Sequence, residues 1–253
     1  LEGQPSHGTL SGAAPNLTYT PHADYSGSDS FTFKANDGTS DSNMATVSIK
    51  VTAVNDAPVF SLSGNVTVDE DFATTEYVTV TPAVVPADES GQTVSYSISP
   101  TSVAFASVSI DGSTGQVSIS AVADGNGTQV FTVTANDGQP ANKTATQPFT
   151  LTVTEVNDDP VVELVVEDVE AEEDGPEVVV DFVGVFTDVD IETNGDQLSY
   201  AVIGGETFLT SSSEGDQLKL ILLENQSGTE VLLVTATDAE GLSVNTQINL
   251  VIN

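Results

Sequence analysis

The sequence predicts an all-β fold, an elongated array of Greek-key β-sandwiches in tandem. Three observations lead there. The residue mix is rich in Val, Thr, Ser and Ile and is punctuated by Gly and by Asn-Asp-Gly turns. Apolar and polar residues alternate with the period of a strand, and no stretch carries the 3.6-residue period of a helix. Whole phrases recur about 100 residues apart, the size of one sandwich with turn signals at short intervals.

The first block offers four candidate strands, near residues 7–10, 16–21, 29–36 and 45–54. In the last of these Ala45, Val47, Ile49 and Val51 share one face and Thr46, Ser48, Lys50 and Thr52 the other. Phe31, Phe33 and Ala35 alternate in the strand before it. The second block repeats the pattern with Phe131, Val133 and Ala135, then Phe149, Leu151 and Val153. The third closes on Ile248, Leu250 and Ile252.

The repeat fixes the domain organisation. Ala35-Asn36-Asp37-Gly38 recurs as Ala135-Asn136-Asp137-Gly138, and Thr235-Ala236-Thr237-Asp238 is a third copy. Asp24 stands before Phe31 as Asp124 stands before Phe131, and Asn225 holds that place before Leu232. Thr154-Glu155-Val156-Asn157-Asp158-Asp159-Pro160 joins two strand-rich blocks, and Ala53-Val54-Asn55-Asp56-Ala57-Pro58 is its earlier counterpart. The expected units are therefore 1–56, 57–158 and 159–253. The first is short by about 40–45 residues of the repeat period. Its four strands are expected to leave open edges and an uncovered apolar face. Disorder, strands supplied by a partner chain, or truncation would each account for that.

The 253 residues include 38 Asp and Glu against four Lys and no Arg, a net charge of -34. Such a surface argues against nucleic acid and against an anionic membrane surface. It repels itself unless cations or salt screen it. A solvated acidic coat is the plain reading; acids at repeating positions point instead to divalent cations. No Cys is present, so neither disulfides nor thiolate chemistry is available. No 18-residue apolar run and no signal-peptide pattern is visible.

The two joints resemble the cadherin inter-repeat linker, Asp-x-Asn-Asp-x-Ala-Pro. The first acid is missing from the first copy and is Glu155 in the second. His7-Gly8-Thr9-Leu10, Asn16-Leu17-Thr18-Tyr19-Thr20-Pro21 and Asp24-Tyr25-Ser26-Gly27 resemble the bacterial cadherin-like repeats of large secreted, RTX-type adhesins. In the third unit the resemblance rests on Phe186-Thr187-Asp188-Val189-Asp190.

The resemblance implies tandem cadherin-like, immunoglobulin-like sandwiches and a set of Ca2+ ligands. At the second joint these would be Glu70 and Asp124 from the upper unit, with Asn126 where the family often has Glu. Glu155, Asn157 and Asp158 would come from the linker, and Asp188, Asp190 and Asp238 from the lower unit. At the first joint the candidates are Asp24, Asn55, Asp56, Asp88 and Asp137. There the spacing that leads from Pro160 to Asp188 leads from Pro58 to Pro86, so the first acid of the pair is expected to be lost and Asp88, beside Glu89, to remain. More or tighter calcium is accordingly expected at the second joint.

The chemistry of the residues points the same way. Calcium takes six to eight oxygens at about 2.3–2.6 Å. Asp-x-Asp at a strand end puts both carboxylates on one side of the pleat. Two carboxylates ~4 Å apart repel by on the order of 4 kcal/mol at an effective dielectric near 20, so the cluster is expected to hold a cation.

Other motifs carry less. Asp188-Val189-Asp190-Ile191-Glu192 opens like an EF-hand, but Thr193 stands where that loop needs Gly and Ser199 where it needs Glu. His7 and His22 have neither a zinc partner nor a catalytic triad context. Paired carboxylates can serve a glycosidase, but here they sit at repeated linker positions in a chain without Trp. The Asn-x-Ser/Thr sequons at Asn16, Asn65, Asn126, Asn142 and Asn225 matter only in a glycosylating host.

The reading is non-enzymatic: calcium-rigidified extracellular repeats of a bacterial cell-surface adhesin, holding a distal binding domain away from the cell. Partners would be neighbouring repeats of the same polypeptide, with host-surface or glycan ligands beyond them. A carbohydrate-binding module is the alternative, and a cluster of exposed aromatics would favour it.

Overall fold

The structure is a computed structural model that describes the chain except Asn194 and the side chains of Ala87, Glu192 and Thr193. The last two belong to the EF-hand-like stretch and so lie outside the described side chains. The chain divides into two compact units, Leu1–Glu155 and Val156–Asn253.

Within the first unit, residues 1–56 form two hairpins. β1 (Gly8–Ala13) pairs with β2 (Asn16–Pro21), and β3 (Gly27–Phe33) with β4 (Ala45–Val51). These are the four strands expected there. No apolar side chain of 1–56 is among the buried ones described.

The rest of that unit is a two-layer sandwich. Its strands are β5 (Phe60–Leu62), β6 (Val66–Asp69), β7 (Glu76–Val78), β8 (Val80–Pro82), β9 (Ser95–Ser99), β10 (Ala106–Ile110), β11 (Val117–Ala121), β12 (Gly127–Asn136) and β13 (Thr144–Thr154). One sheet has the order β6-β13-β12-β9, the other β10-β11-β7, and β5 pairs with β8. The β6 pairing with β13 is parallel; the rest are antiparallel. Taking β5–β6 as one strand that changes sheets and β7–β8 as one interrupted strand gives seven strands, in line with the Greek-key sandwich expected.

The alternation decides which face is buried. Phe131, Val133, Ala135, Phe149, Leu151 and Val153 point inward from β12 and β13 and meet Val78, Val117 and Ile119 of the other sheet. Phe131 and Phe149 stack with centroids 5.3 Å apart. Gly127, at the start of β12, has φ +149, and a Cβ there would sit 2.8 Å from the Phe105 ring, so the turn needs glycine.

The second unit repeats the plan. Its strands are β14 (Val161–Val162), β15 (Val169–Ala171), β16 (Val178–Asp181), β17 (Phe186–Thr187), β18 (Ser199–Ile203), β19 (Leu209–Glu214), β20 (Gln217–Leu222), β21 (Gly228–Thr237) and β22 (Ser243–Ile252). The sheets are β15-β22-β21-β18 and β16-β20-β19, with β14 on β17 and β15 parallel to β22. Leu218, Leu220, Leu232, Val234, Ile248 and Leu250 form its core with Phe182 and Phe186.

Among the described residues two helical turns interrupt the strands: a 3-10 turn at Ala87–Glu89 and the single-turn α1 (Asp190–Thr193). The sequence showed no helix, because one turn is too short to carry a period. Both turns fall where candidate ligands were placed.

Candidate metal centre

The densest group of acids in the second unit gathers at the end of β17, at α1 and after β21. Asp188 follows β17, Asp190 opens α1 and Asp238 follows β21. All three are buried, between 2% and 6% exposed. The linker residues of the same unit complete the group. The Asp158 N–H donates to Asp190 Oδ2 at 2.8 Å, and the Asp190 N–H to Asp188 Oδ1 at 3.0 Å. Asn157 Nδ2 donates to Asp238 Oδ2 at 2.8 Å. Asp238 Oδ1 accepts from the N–H groups of Gly241 and Leu242.

Asp196 was not anticipated. One carboxylate oxygen from each of Asp188, Asp196 and Asp238 lies within 4.8 Å of the others. The signal that could have found it is its place shortly after the Asp-x-Asp pair.

The electrostatics are those of crowded like charges. Burial pushes the Asp188 carboxyl up, and the charges of Asp190, Asp196 and Asp238 push it further, against the Asp190 N–H. Burial also pushes Asp238 up, but the Asn157 amide and the N–H groups of Gly241, Leu242 and Glu240 outweigh it and hold the carboxyl low. Among the described residues the ion pairs are Lys34–Asp41 and Lys219–Glu214, neither of them at this cluster.

Asp188 Oδ2 and Asn157 Oδ1 are buried with no hydrogen-bond partner among the described residues. Buried acceptors without donors cost about 1–3 kcal/mol each, more when charged. Oxygen atoms converging in this way suit a hard cation such as calcium, magnesium or manganese, and lack the N and S donors that structural zinc and copper sites use.

The first joint, inside the first unit, is built on the same hydrogen bonds. Asn55 Nδ2 donates to Asp137 Oδ2 at 2.9 Å, as Asn157 does to Asp238. The Asp56 N–H donates to Glu89 Oε1 at 2.5 Å, as Asp158 does to Asp190. Asp88 Oδ1 is buried without a partner among the described residues, as Asp188 Oδ2 is.

This corrects the sequence alignment of the pair. The spacing set Asp88 against Asp190 and left the other position empty. The structure sets Asp88 against Asp188 and Glu89 against Asp190, so both acids are present. The longer Glu side chain and the 3-10 turn let adjacent residues do what Asp-x-Asp does in the other unit. One difference remains: Gln92 Nε2 donates to Asn55 Oδ1 at 2.8 Å, while Asn157 Oδ1 has no such donor.

The remaining candidates are placed as follows. Glu70 is buried just past β6, its N–H bonded to the Thr154 carbonyl at 2.8 Å and its Oε2 facing Asn126 Nδ2 at 3.4 Å. Asp124 is exposed, in the left-handed region at φ 53, and its N–H donates to Asp71 Oδ1 at 3.1 Å. Asp71 was not anticipated, although Asp174 repeats it by accepting from the Asn225 N–H at 2.9 Å. Glu155 is exposed after β13. Asp24 is exposed in the turn before β3, at φ 57.

Comparison with known proteins bears on the fold. Residues 1–50 match the Bacterial Ig domain family. No curated protein matches the chain in sequence. The fold is similar to mouse cadherin-23 EC22-24, with a TM-score of 0.55 and 16% identity over 98% of this chain and 82% of that one. It is similar to the protocadherin gammaB7 EC3-6 cis-dimer structure, with a TM-score of 0.59 and 17% identity over all of this chain and 65% of that one. It is also similar to the protocadherin GammaB4 extracellular domain, with a TM-score of 0.57 and 18% identity, where the chain spans 44% of that protein. The fold of the chain is thus that of cadherin-like, immunoglobulin-like β-sandwiches, and residues 1–50 match the Bacterial Ig domain.

Proposed function

We propose that the chain is a calcium-rigidified stretch of extracellular repeats, serving to hold a distal binding domain of a bacterial surface adhesin away from the cell. The observation that carries this reading is the duplicated constellation: Asn157, Asp158, Asp188, Asp190 and Asp238 in one unit, and Asn55, Asp56, Asp88, Glu89 and Asp137 in the other. A catalytic site has no reason to appear twice at linker positions. A load-bearing joint does.

Bound calcium would supply the positive charge that lets these carboxylates stay ionised together. The chain's own residues do the rest. The linker amides of Asp56 and Asp158 fix the orientation of Glu89 and Asp190. The helical turns aim the paired acids at the linker. Asn55 and Asn157 tie the linker to the late acids, Asp137 and Asp238. Glu70, Asp124 and Glu155 are proposed to add ligands from the upper side of the second joint. No helix among the described residues is long and apolar enough to cross a membrane. The acidic surface and the cysteine-free composition suit secretion into a calcium-rich medium.

Calorimetric titration of the full chain with calcium, with magnesium as comparison, tests this. Saturable calcium binding is expected with Kd on the order of 10⁻⁴–10⁻³ M or tighter, the range of extracellular calcium modules. Asp190→Asn should weaken it. A flat calcium titration would refute the reading.

A further inference from the structure

The second unit carries a pocket of about 430 Å³ beside the α1 turn. Three aromatic rings form its floor. Phe182 opens the turn after β16, which the Val185 N–H closes by donating to the Phe182 carbonyl at 2.9 Å. Phe186 follows in β17, and Tyr200 meets both rings from β18. Their centroids lie 5.0 Å apart for Phe182–Tyr200 and 5.5 Å for the other two pairs. All three are buried. Ile191 and Leu198 add apolar wall.

Negative charge stands over this floor. Exposed Asp216, in the β19–β20 turn, accepts from the Tyr200 hydroxyl at 3.2 Å. The Phe182 N–H donates to the Asp216 carbonyl at 2.7 Å and so ties that turn to the pocket. Asp196 lines the pocket as well, and its Oδ1 accepts from the Ala239 N–H at 3.1 Å. Burial and then the charge and hydrogen bond of Asp216 push the Tyr200 hydroxyl up to about 12. It therefore stays neutral, and the two Asp carry the charge. Among the described residues no Lys lines the pocket.

The sandwich of residues 57–155 lacks this arrangement, although a tyrosine stands at the same place. Tyr96 of β9 pairs with Ala135 as Tyr200 of β18 pairs with Ala236. There the turn between β10 and β11 keeps its acid to itself: Asp111 accepts from the Ser113 and Thr114 N–H groups, each at 2.8 Å. In the second unit the corresponding turn is only Gly215-Asp216, and its acid reaches the tyrosine. The pocket thus belongs to this repeat and does not follow from the shared fold.

Carboxylates beside aromatic rings suit an organic cation. A guanidinium suits them better than an ammonium. It is planar and weakly hydrated, it stacks on rings, and its fork of donors serves a carboxylate bidentately. The stem of such a side chain would cover Ile191 and Leu198. The 253 residues contain no Arg, so a second copy of them cannot supply the group. A net charge of -34 draws basic partners toward the surface.

We propose that this pocket receives an exposed arginine side chain of a basic partner protein, its guanidinium on Asp196 and Asp216 and over the Phe182, Phe186 and Tyr200 floor. Asp216 and the three rings take no part in the oxygen cluster of Asp188, Asp196 and Asp238, so the site stands apart from the calcium reading.

The test follows the amide resonances of Gly184, Leu198 and Gly215 in the full chain as N-acetylarginine methylamide is added. Chelator is present, so that no metal competes for Asp196, and sodium chloride at about 0.15 M screens diffuse attraction. Amides of β12–β13 serve as the reference for a folded chain. The matching lysine compound and the uncharged citrulline compound are the comparisons. The arginine compound should give a saturable shift at the three pocket amides, the lysine compound should bind about fivefold more weakly or worse, and the citrulline compound should give none. Asp216→Asn, an exposed substitution, should weaken the arginine compound by about tenfold. Three results would overturn the proposal. One is the absence of a saturable shift up to tens of millimolar while the β12–β13 amides remain those of a folded chain. Another is equal binding of the lysine or citrulline compound, which would reduce the pocket to a patch of charge or of apolar surface. The last is undiminished binding in Asp216→Asn.

Discussion

Asp188 shows how one residue reports on the state of the site. Its carboxyl is buried, pushed up by that burial and by Asp190, Asp196 and Asp238, and one of its oxygens has no donor among the described residues. A buried charge of this kind opposes folding when alone and favours binding when a cation is present. Asp188→Asn should therefore act with opposite signs in two conditions. In chelator it should raise the thermal midpoint of the Val156–Asn253 unit. In calcium it should weaken binding by about tenfold, the effect of losing one ionic ligand worth about 1.4 kcal/mol. A midpoint that falls in both conditions would mean that Asp188 is only a structural acceptor. Asp29 supplies a contrasting case. Burial pushes its carboxyl up, but the N–H groups of Ser6, His7 and Ser30 and the Tyr19 hydroxyl outweigh it and hold it at about 2. Tyr19 is pushed up to about 12 by burial and by Asp29. A carboxyl held below its unfolded value near 3.9 contributes stability above about pH 4 and loses it as pH falls towards 2. A phenol held above 10 contributes below pH 10 and loses it as pH rises through 12. The β1–β2 and β3–β4 hairpins should thus keep their exchange protection between about pH 4 and 10, and Asp29→Asn should flatten the acid limb.

At the scale of elements, the two cores are separate clusters, so damage to one should stay local. Phe131 is fully buried against Phe149. Phe131→Ala should cost about 3–5 kcal/mol in the sandwich of residues 57–155 and leave the unfolding transition of Val156–Asn253 unmoved. The strands around Phe131 and Phe149 were legible in the sequence, because a half-buried strand writes its buried face into every second residue. The same alternation in Ala45–Val51 was read correctly as a strand, and the half-open apolar face of β4 was expected from the few strands of its block, not from the alternation itself. Burial depends on the strands packed opposite, which one strand's pattern does not contain. The repeated linker made the candidate site legible as far as Asn157, Asp158, Asp188, Asp190 and Asp238. It failed at Glu89, because counting from the proline assumes equal loops, and a single 3-10 turn shifts the pair by a residue. Asp71 and Asp196 lay outside the carried pattern and emerged only from hydrogen bonds and oxygen separations. The corrected pairing changes what to expect of the first joint. With Asp88 and Glu89 both in place it should bind calcium, and Glu89→Ala should abolish that binding while Gln92→Ala should tighten it several-fold by releasing Asn55 Oδ1.

For the whole molecule, charge and architecture lead to one expectation. A net charge of -34 on 253 residues is a field that screening weakens over a Debye length of about 8 Å at physiological salt. Monovalent salt can soften that field, but it cannot satisfy buried acceptors such as Asp188 Oδ2 and Asn157 Oδ1. The hydrophobic cores of the sandwiches are built of aliphatic and aromatic side chains, and none of the candidate ligands belongs to them. Metal removal should accordingly leave strand content intact and act on the linkers, where Asn55–Pro58 and Glu155–Asp159 would become solvated hinges. Small-angle scattering of the full chain should give one well-defined extended particle in saturating calcium and a broader distribution of dimensions after chelator. Far-ultraviolet circular dichroism should be unchanged between the two. Raising sodium chloride in place of calcium should narrow the distribution only slightly, because screening relieves repulsion without bridging ligands. Asp190→Asn should require more calcium to reach the extended state, since it removes the acid that the Asp158 linker amide orients. Identical scattering with and without calcium, at a concentration that saturates measured binding, would show that the clusters bind ions without governing the shape of the chain.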